Sequence, residues 1–155
     1  MPDMKLGELS EEDAREICTW RYPGKYSIYN LSDWDTVVRK GWDLAQPEKR
    51  SREFVAILLE GHLLGYGRIK KERNIVFLGI GLRPGRCSKG YGKKAMKLLV
   101  EEAGRRYPGC QVALEVRTFN LRAISCYQDV GFAIKDRYQK DTLNGGGIFY
   151  LMEYI

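Results

Sequence analysis

Histidine and closely spaced cysteines are scarce in this sequence of 155 residues. The single histidine, His62, falls in a predicted hairpin turn. At such a position we expect a solvated turn residue, and we do not expect a catalytic one. None of the four cysteines forms a Cys-x-x-Cys pair: they are Cys18, Cys87, Cys110 and Cys126. This spacing argues against a zinc site or a redox pair. We therefore predict no metal, and reduced thiols in a cytoplasmic protein.

Long apolar runs are also missing from the chain. No segment is long enough to span a bilayer, and the first residues do not resemble a leader with a basic start, an apolar middle and a small-residue cleavage site. We therefore expect no membrane partner. A length of 155 residues suits one domain, residues 1–155, with a core of its own.

Acidic residues are absent from residues 82–97, which are rich in glycine and in basic side chains. The cations of this stretch are Arg83, Arg86, Lys89, Lys93, Lys94 and Lys97. These six charges equal the formal net charge of +6, so the rest of the chain is balanced. Charge concentrated in this way predicts a local anion site and argues against a nucleic-acid partner.

The same stretch joins a predicted strand to an amphipathic helix pattern that begins at Gly90. The first turn of a helix leaves backbone N–H groups without intrahelical partners, and glycine lets a ligand approach them closely. A phosphate cradle is therefore predicted. The sequence does not match two known phosphate-binding motifs. Residues 83–89 separate the strand from the glycines of a dinucleotide fingerprint, and Tyr91-Gly92 stands where a P-loop needs Lys-Ser/Thr.

Periodicity and turn residues predict the order β-α-α-β-β-β-α-β-α-β-β, a mixed α/β fold. Strands over residues 53–60, 63–70 and 75–82 are joined by short turns, which predict an antiparallel meander. Gly79 and Gly81 inside the third strand predict a bulge or a close ligand approach.

The remaining segments carry recognisable start and turn signals. Ser10 and Asp13 resemble a capping box, and the polar residues 46–51 predict a loop. Residues 144–147 predict a hairpin turn between the last two strands. Those strands could pair across a homodimer.

The segment that follows residue 114 carries the most specific pattern. It begins Leu-Glu-Val-Arg-Thr-Phe-Asn and continues with Ala123, Tyr127 and Gly131-Phe132. This pattern resembles the C-terminal half of the GNAT superfamily of N-acetyltransferases. Residues 87–92, Cys-Ser-Lys-Gly-Tyr-Gly, are similar to the acetyl-CoA motif of that family, Gln/Arg-x-x-Gly-x-Gly/Ala, but Cys87 replaces the first residue. The resemblance implies a mixed, mostly antiparallel sheet flanked by helices, and acetyl-CoA as co-substrate.

The resemblance also assigns coenzyme-binding positions. They are Leu82, Arg86, Cys87, Ser88, Lys89, Gly90, Tyr91, Gly92, Lys93, Asn120 and Ala123. Backbone amides around residues 88–92 are expected to carry most of the binding, and Arg86, Lys89 and Lys93 to supply charge. A backbone N–H near Leu82 is expected to polarise the thioester carbonyl.

Tyr127 is the candidate general acid. Asn120 can cap a helix, and Tyr127 lies seven residues after it, which is two helical turns, so the two side chains share nearly one helix face. An acid near the sulfur assists departure of a thiolate. The resemblance implies that Tyr127 protonates the coenzyme A thiolate.

Glu115 is the candidate base, because it is a carboxylate in an otherwise apolar strand. Such a group must be paired, face a cleft or have a raised pKa. Some members of the family use the matching glutamate as the base. An ion pair with Arg117, or with another basic residue across the sheet, explains the residue equally well.

The acceptor is predicted less sharply than the donor. Tyr26, Asp33 and Trp34 could contact a cationic amine, although Asp33 suits a helix cap equally well. No residue resembles an activated acyl-accepting nucleophile, so we expect direct transfer to a primary amine, most simply of a small molecule. A peptide N-terminus or lysine is the alternative acceptor, and a non-catalytic module that binds coenzyme A is the alternative function.

Overall fold

Seven strands form one sheet in the order β1-β2-β3-β4-β5-β7-β6 in this computed structural model, which describes residues 3–87, 90–143 and 145–155. Neighbouring strands are antiparallel except β4 and β5, which are parallel. The strands are β1 (Met4–Glu8), β2 (Phe54–Leu59), β3 (His62–Glu72), β4 (Ile75–Leu82), β5 (Gln111–Arg117), β6 (Phe132–Lys140) and β7 (Gly147–Tyr154). The predicted α/β class, the meander and the mostly antiparallel sheet are confirmed.

In the described parts of the chain, five α-helices and two short 3₁₀ helices connect the strands. The α-helices are α1 (Glu11–Ile17), α2 (Trp34–Arg39), α3 (Pro47–Glu53), α4 (Tyr91–Arg106) and α5 (Leu121–Val130), and the 3₁₀ helices are Gly24–Tyr29 and Asp43–Ala45. The loop predicted over residues 46–51 is wrong, because α3 begins there with Pro47 in its first turn, where proline is well tolerated. Within the described residues, no helix is both long and apolar enough to cross a membrane.

Side chains at the helix starts behave as their sequence predicts. Ser10 accepts from the Asp13 backbone N–H and Asp13 accepts from the Ser10 N–H, so the predicted capping box is confirmed. Asp33 caps α2 by accepting hydrogen bonds from both the N–H and the hydroxyl of Thr36. The predicted 144–147 turn lies partly outside the described residues, since Asn144 is not among them.

The helices cover both faces of the sheet. On one face, Met96 and Leu99 of α4 and Ile124 of α5 pack in a buried cluster with sheet residues such as Ile69 and Leu114. On the other face, a second buried cluster joins side chains of α1 and α2 to Phe54 and Ala56 of β2. Since the side chains of β2 alternate between the two faces and are buried on each, burial on both sides explains its near-continuous apolar sequence.

A charged cluster attaches the segment before β2 to the sheet. Arg68 of β3 forms ion pairs with Asp43 and, at 2.6 Å, with Glu53, and its guanidinium carbon lies 4.9 Å from the centre of the Phe54 ring. Lys49 Nζ is 3.0 Å from a second oxygen of Asp43. Burial would raise the pKa of Asp43, but the bonds from Lys49 and Arg68 outweigh it, so its pKa lies below the usual range.

Gly79 and Gly81 lie in a regular ladder, so the predicted bulge in β4 is wrong. They face Arg68 and Tyr66 of β3 without a shift of register. A Cβ atom at position 81 would lie 2.5 Å from the Tyr66 ring. The close approach that this glycine permits is therefore made by an aromatic side chain of the protein.

The parallel pair β4–β5 separates along its length. Three residue pairs join the strands, from Ile75 opposite Gln111 to Phe77 opposite Ala113. Beyond these pairs β4 continues to Leu82 and β5 to Arg117 without pairing to each other. The gap between the diverging strands opens the sheet at the ends from which α4 and α5 follow.

Candidate active site

A cavity of about 310 Å³ lies between the diverging strands. Residues 78–82 of β4 and 114–117 of β5 form its two long walls. The first turn of α4 contributes Gly92, and α5 contributes Ala123, Cys126 and Tyr127. The two sequence motifs, one before α4 and one before α5, therefore meet at one cavity.

The start of α4 has the bare backbone that the sequence predicts. Gly90 is the N-terminal cap with φ +78°, a left-handed conformation that glycine adopts readily, and no side chain caps the helix. No acidic residue occupies the first turn. The amides of this sixteen-residue helix therefore face outward with the positive end of its dipole. Ser88 and Lys89, predicted coenzyme contacts, lie outside the described residues.

Carboxylates from elsewhere in the fold neutralise part of the basic stretch. Arg83 forms an ion pair with Glu16 of α1. Lys93 Nζ lies 2.7 Å from Asp129 of α5. Arg83 and Lys93 are thus paired with acidic residues distant in sequence, whereas Arg86 is exposed near the start of the helix.

The other predicted coenzyme contacts divide into two groups. Leu82, Cys87, Gly92, Asn120 and Ala123 line the cavity. The Tyr91 side chain packs instead against a buried cluster that includes Leu82 and Ala95, which indicates a structural contact.

Asn120 joins α5 to the N-terminal half of the chain. Its Oδ1 accepts from the Ala123 N–H at 3.2 Å, and its Nδ2 donates to the Tyr29 hydroxyl at 3.1 Å. The first bond is the helix cap that the sequence predicts. The second holds the Gly24–Tyr29 helix beside the cavity. Asn120 and Tyr127 both line the cavity, in agreement with their seven-residue spacing.

Tyr127 lies deep in the cavity wall. Burial raises the pKa of its hydroxyl, and the nearby Cys126 and Tyr29 act in the same direction. Its ring packs edge-on against Phe132, with ring centres 6.3 Å apart. The hydroxyl therefore keeps its proton at neutral and moderately alkaline pH, as a general acid must.

Glu115 lines the cavity and is held from the far edge of the sheet. Its Oε2 accepts from the Tyr138 hydroxyl at 2.5 Å, and its Oε1 lies 2.6 Å from Lys140 Nζ. Both partners belong to β6, two strands away from β5. Glu115 therefore forms an ion pair with a basic residue across the sheet, and Arg117 is not that residue.

Leu82 presents backbone groups to the gap. The N–H of Arg83 donates to Leu64 of β3 at 2.7 Å, so the alternation of a strand turns the N–H and carbonyl of Leu82 to the opposite side. The Tyr22 hydroxyl donates to that carbonyl at 2.7 Å. This arrangement leaves the Leu82 N–H directed toward the cavity.

The cavity thiols are not activated. Burial raises the pKa of Cys87, with Arg122 opposing it, and burial also raises the pKa of Cys126. Both side chains therefore remain neutral thiols near pH 7, which makes them weak nucleophiles.

The predicted acceptor contacts are only partly brought together. Tyr26 lines the cavity, where Arg122 lies 4.6 Å above its ring. Asp33 and Trp34 do not line it. The first is exposed and caps α2, and the second packs with the N-terminal helices, where Arg15 lies 5.2 Å above its ring.

Sequence reasoning missed several residues on the cavity wall. They are Tyr22, Tyr29, Leu31, Tyr66, Arg122 and Phe149. Burial raises the pKa of Tyr66 to about 12, so its hydroxyl also stays protonated. The three tyrosines within residues 22–29 could have indicated part of this wall from the sequence. Phe149 could not, because it reaches the cavity only through the pairing of β7 with β5.

A model of one protein family matches residues 12–132, and its description is the acetyltransferase (GNAT) family. The chain belongs to this family. The resemblance inferred from residues 87–92 and 114–132 is therefore confirmed, as is the assignment of the protein as an acetyltransferase. A search of curated protein sequences found no significant match.

Solved structures of other GNAT acetyltransferases share the fold at low sequence identity. An aminoglycoside acetyltransferase in complex with coenzyme A is 18% identical, with 96% of this chain and 94% of that chain covered and a TM-score of 0.73. A chimeric spermidine N-acetyltransferase built in part from the Vibrio cholerae protein is 14% identical, with 98% and 95% covered and a TM-score of 0.77. A ribosomal-protein alanine N-acetyltransferase from Escherichia coli is 18% identical, with 98% and 93% covered and a TM-score of 0.68.

Proposed function

We propose that this GNAT protein transfers the acetyl group of acetyl-CoA directly to the primary amine of a small molecule. The observation that carries the proposal is the cavity between β4 and β5. One end of it receives the uncapped start of α4, and its walls hold a protonated tyrosine, Tyr127, and a carboxylate, Glu115. A pyrophosphate site, an acid and a candidate base are the parts that the reaction needs.

The residues at the α4 start fit the phosphates of coenzyme A. Outward-facing amides follow Gly90, and a side chain at position 92 would point at the cavity wall, with its Cβ atom 3.4 Å from Cys126 Sγ. Arg86 supplies positive charge at this end, and Asn120 and Ala123 line the cavity beyond it. When bound, the coenzyme supplies a thioester as the acetyl donor.

Three groups of the protein then have distinct tasks. The Leu82 N–H donates to the oxygen on which negative charge develops. Tyr127 gives its proton to the departing sulfur. An alkyl amine has a pKa near 10, so its extra proton must be accepted before attack, by Glu115 or by a water that Glu115 binds.

The small cavity favours a small acceptor. A volume of about 310 Å³ must admit the reactive end of the coenzyme and the amine together. A peptide N-terminus or a lysine side chain is the alternative, since either is a thin group that could enter from outside. A non-catalytic module that binds coenzyme A is the second alternative.

A thiol-release screen tests the proposal. Purified protein is mixed with acetyl-CoA and a panel of amines, amino acids and N-terminal peptides, and free thiol is measured against samples without protein. We expect release that depends on one class of small amine. Release with peptides alone would favour the protein-acetyltransferase alternative, and a shift of melting temperature with acetyl-CoA but no release from any amine would favour the non-catalytic module.

A further inference from the structure

Arg117 is a buried cation on the cavity wall. Its side chain ends β5 and is 7% exposed. Nη1 donates to the Gly146 carbonyl at 3.2 Å, and Nη2 donates to the Gly145 carbonyl and the Thr142 hydroxyl, each at 3.1 Å. The guanidinium carbon lies 4.8 Å from the centre of the Phe149 ring. All of these contacts are to neutral groups.

No described carboxylate balances this charge. Across residues 3–87, 90–143 and 145–155, none of the ion pairs includes Arg117. Its Nε has no hydrogen-bond partner there and is not among the fully buried polar atoms, so it can donate to a further acceptor. Buried charges in proteins are normally paired. An anion in the cavity would supply the missing partner.

Glu115 and Arg117 form a pair of opposite charges on one face of β5. Alternate residues of a strand point to the same face and lie about 7 Å apart. Both side chains line the cavity. A molecule that carries an amine and a carboxylate a few bonds apart can therefore place the first near Glu115 and the second near Arg117.

The charge of the cavity does not suit a polycation. Glu115 is the one carboxylate among its described lining residues, and Tyr138 and Lys140 already contact it. Two guanidinium groups, those of Arg117 and Arg122, line the same space. A polyamine would meet more positive charge than negative. The other walls are largely aromatic, formed by Tyr22, Tyr26, Tyr29, Tyr66 and Phe149.

We propose that Arg117 binds a carboxylate of the acceptor, so that the acceptors are small amino carboxylates with an apolar or aromatic body. This inference rests on the proposed acetyltransferase function. It assigns Arg117 to specificity, in addition to its contacts with Thr142, Gly145 and Gly146.

Matched acceptors test the inference on the unaltered protein. The kcat/KM values of L-phenylalanine and L-leucine are compared with those of their carboxamides, in which a neutral amide replaces the charged group that Arg117 would meet. We expect the acids to be preferred by about ten-fold or more, the effect of a charge-assisted hydrogen bond. The amines of the carboxamides are less basic, so a larger fraction of them is neutral and ready to attack. This effect favours the carboxamides, so a preference for the acids is a stringent result.

Two variants assign the preference to one guanidinium. Arg117→Gln should bring the ratio of the kcat/KM for the acid to that for the carboxamide close to one. Arg122→Gln should keep this ratio even if its overall rate changes. A cooperative melting transition without ligand shows whether each variant is folded, and the shift in melting temperature with acetyl-CoA shows whether it binds the coenzyme. If Arg117→Gln does not fold, competitive inhibition of the unaltered protein by 3-phenylpropanoate, and not by 3-phenylpropanamide, is the supporting result.

The outcomes separate this inference from the proposed function. Acetylation of the carboxamides at equal or higher kcat/KM overturns the inference and leaves the acetyltransferase function in place. A ratio unchanged in Arg117→Gln, or a ten-fold weaker binding of coenzyme A by that variant, also overturns it, because Arg117 would then serve the fold or the coenzyme. No thiol release from any amine overturns the proposed function, and the inference with it.

Discussion

Replacement of Gly92 by glutamate is the most direct test of the coenzyme site. A Cβ atom at this position lies 3.4 Å from Cys126 Sγ and 3.9 Å from Leu82 Cδ1, both on the cavity wall. The carboxylate of Gly92→Glu would therefore extend into the space assigned to the pyrophosphate. Gly104 lies on the same helix and is exposed, and a Cβ atom there meets no described atom within 4 Å. Gly104→Glu is thus a matched control with the same change of charge.

The expected size of the effect follows from binding linkage. Acetyl-CoA at one hundred times its Kd stabilises the folded state by about 2.7 kcal/mol. For a chain of 155 residues this corresponds to a rise in Tm of about 5–10 °C. We expect that rise for the unaltered protein and for Gly104→Glu. A hundred-fold loss of affinity in Gly92→Glu would leave about 0.4 kcal/mol, or a rise of roughly 1–2 °C at the same concentration.

Thermal denaturation of each protein, with and without acetyl-CoA, measures both quantities. The Tm of Gly92→Glu without ligand should equal or exceed that of Gly104→Glu, because an acidic side chain in the first turn interacts favourably with the helix dipole. A smaller shift in the first variant then reports ligand binding and not damage to the fold. Equal shifts in the two variants would refute the assignment of the pyrophosphate to the α4 start.

Four further substitutions test the acid, the base and the fold. Tyr127→Phe should lower kcat about 100-fold or more while the Tm shift with acetyl-CoA is unchanged; unaltered turnover would remove Tyr127 from the reaction. Glu115→Gln should lower kcat about 100-fold or more if the carboxylate accepts a proton. Lys140→Met keeps the carboxylate, so its kcat should fall by less than about ten-fold. Equal losses of kcat in the two variants would indicate that only the ion pair matters. Arg68→Met should lower the free energy of unfolding by about 2–4 kcal/mol at pH 7 in chemical denaturation, because it removes the cation that two partly buried carboxylates, Asp43 and Glu53, share. The pKa of Asp43 is lower in the folded protein than its value of about 3.9 in the unfolded chain. The carboxylate therefore stabilises the folded state above that unfolded pKa, and this stabilisation is lost as the pH falls through the lower folded pKa. The difference between the two proteins should therefore narrow below about pH 4, and a difference independent of pH would contradict this account.

Features set by neighbouring residues could be predicted from the sequence. The capping box at Ser10 and the Asn120 cap both depend on contacts within about one helical turn. The start of α3 was missed although Pro47 marks it, because its polar sequence was interpreted as a loop. Composition alone does not distinguish a short solvated helix from a loop.

Partners distant in sequence could not be predicted. Glu16 reaches Arg83 across 67 positions, and the Tyr22 hydroxyl reaches the carbonyl of Leu82 across 60. The Lys140 partner of Glu115 depends on β7 lying between β5 and β6, which no local pattern encodes. Part of the cavity lining was accordingly predicted by residue type, while the pairing of its charges was not.

The parallel pairing of β4 with β5 explains why two motifs thirty positions apart form one site. Each motif follows one of these strands, at Gly90 before α4 and at Asn120 before α5. In a parallel pair the carboxyl ends of both strands lie on the same edge, so both helices begin there, and the crevice that opens beyond the paired residues receives both helix starts. An antiparallel arrangement of the same strands would place the two starts at opposite edges of the sheet. Because the strands are parallel and diverge after Phe77, the uncapped start of α4 and the face of α5 that carries Tyr127 border the same cavity.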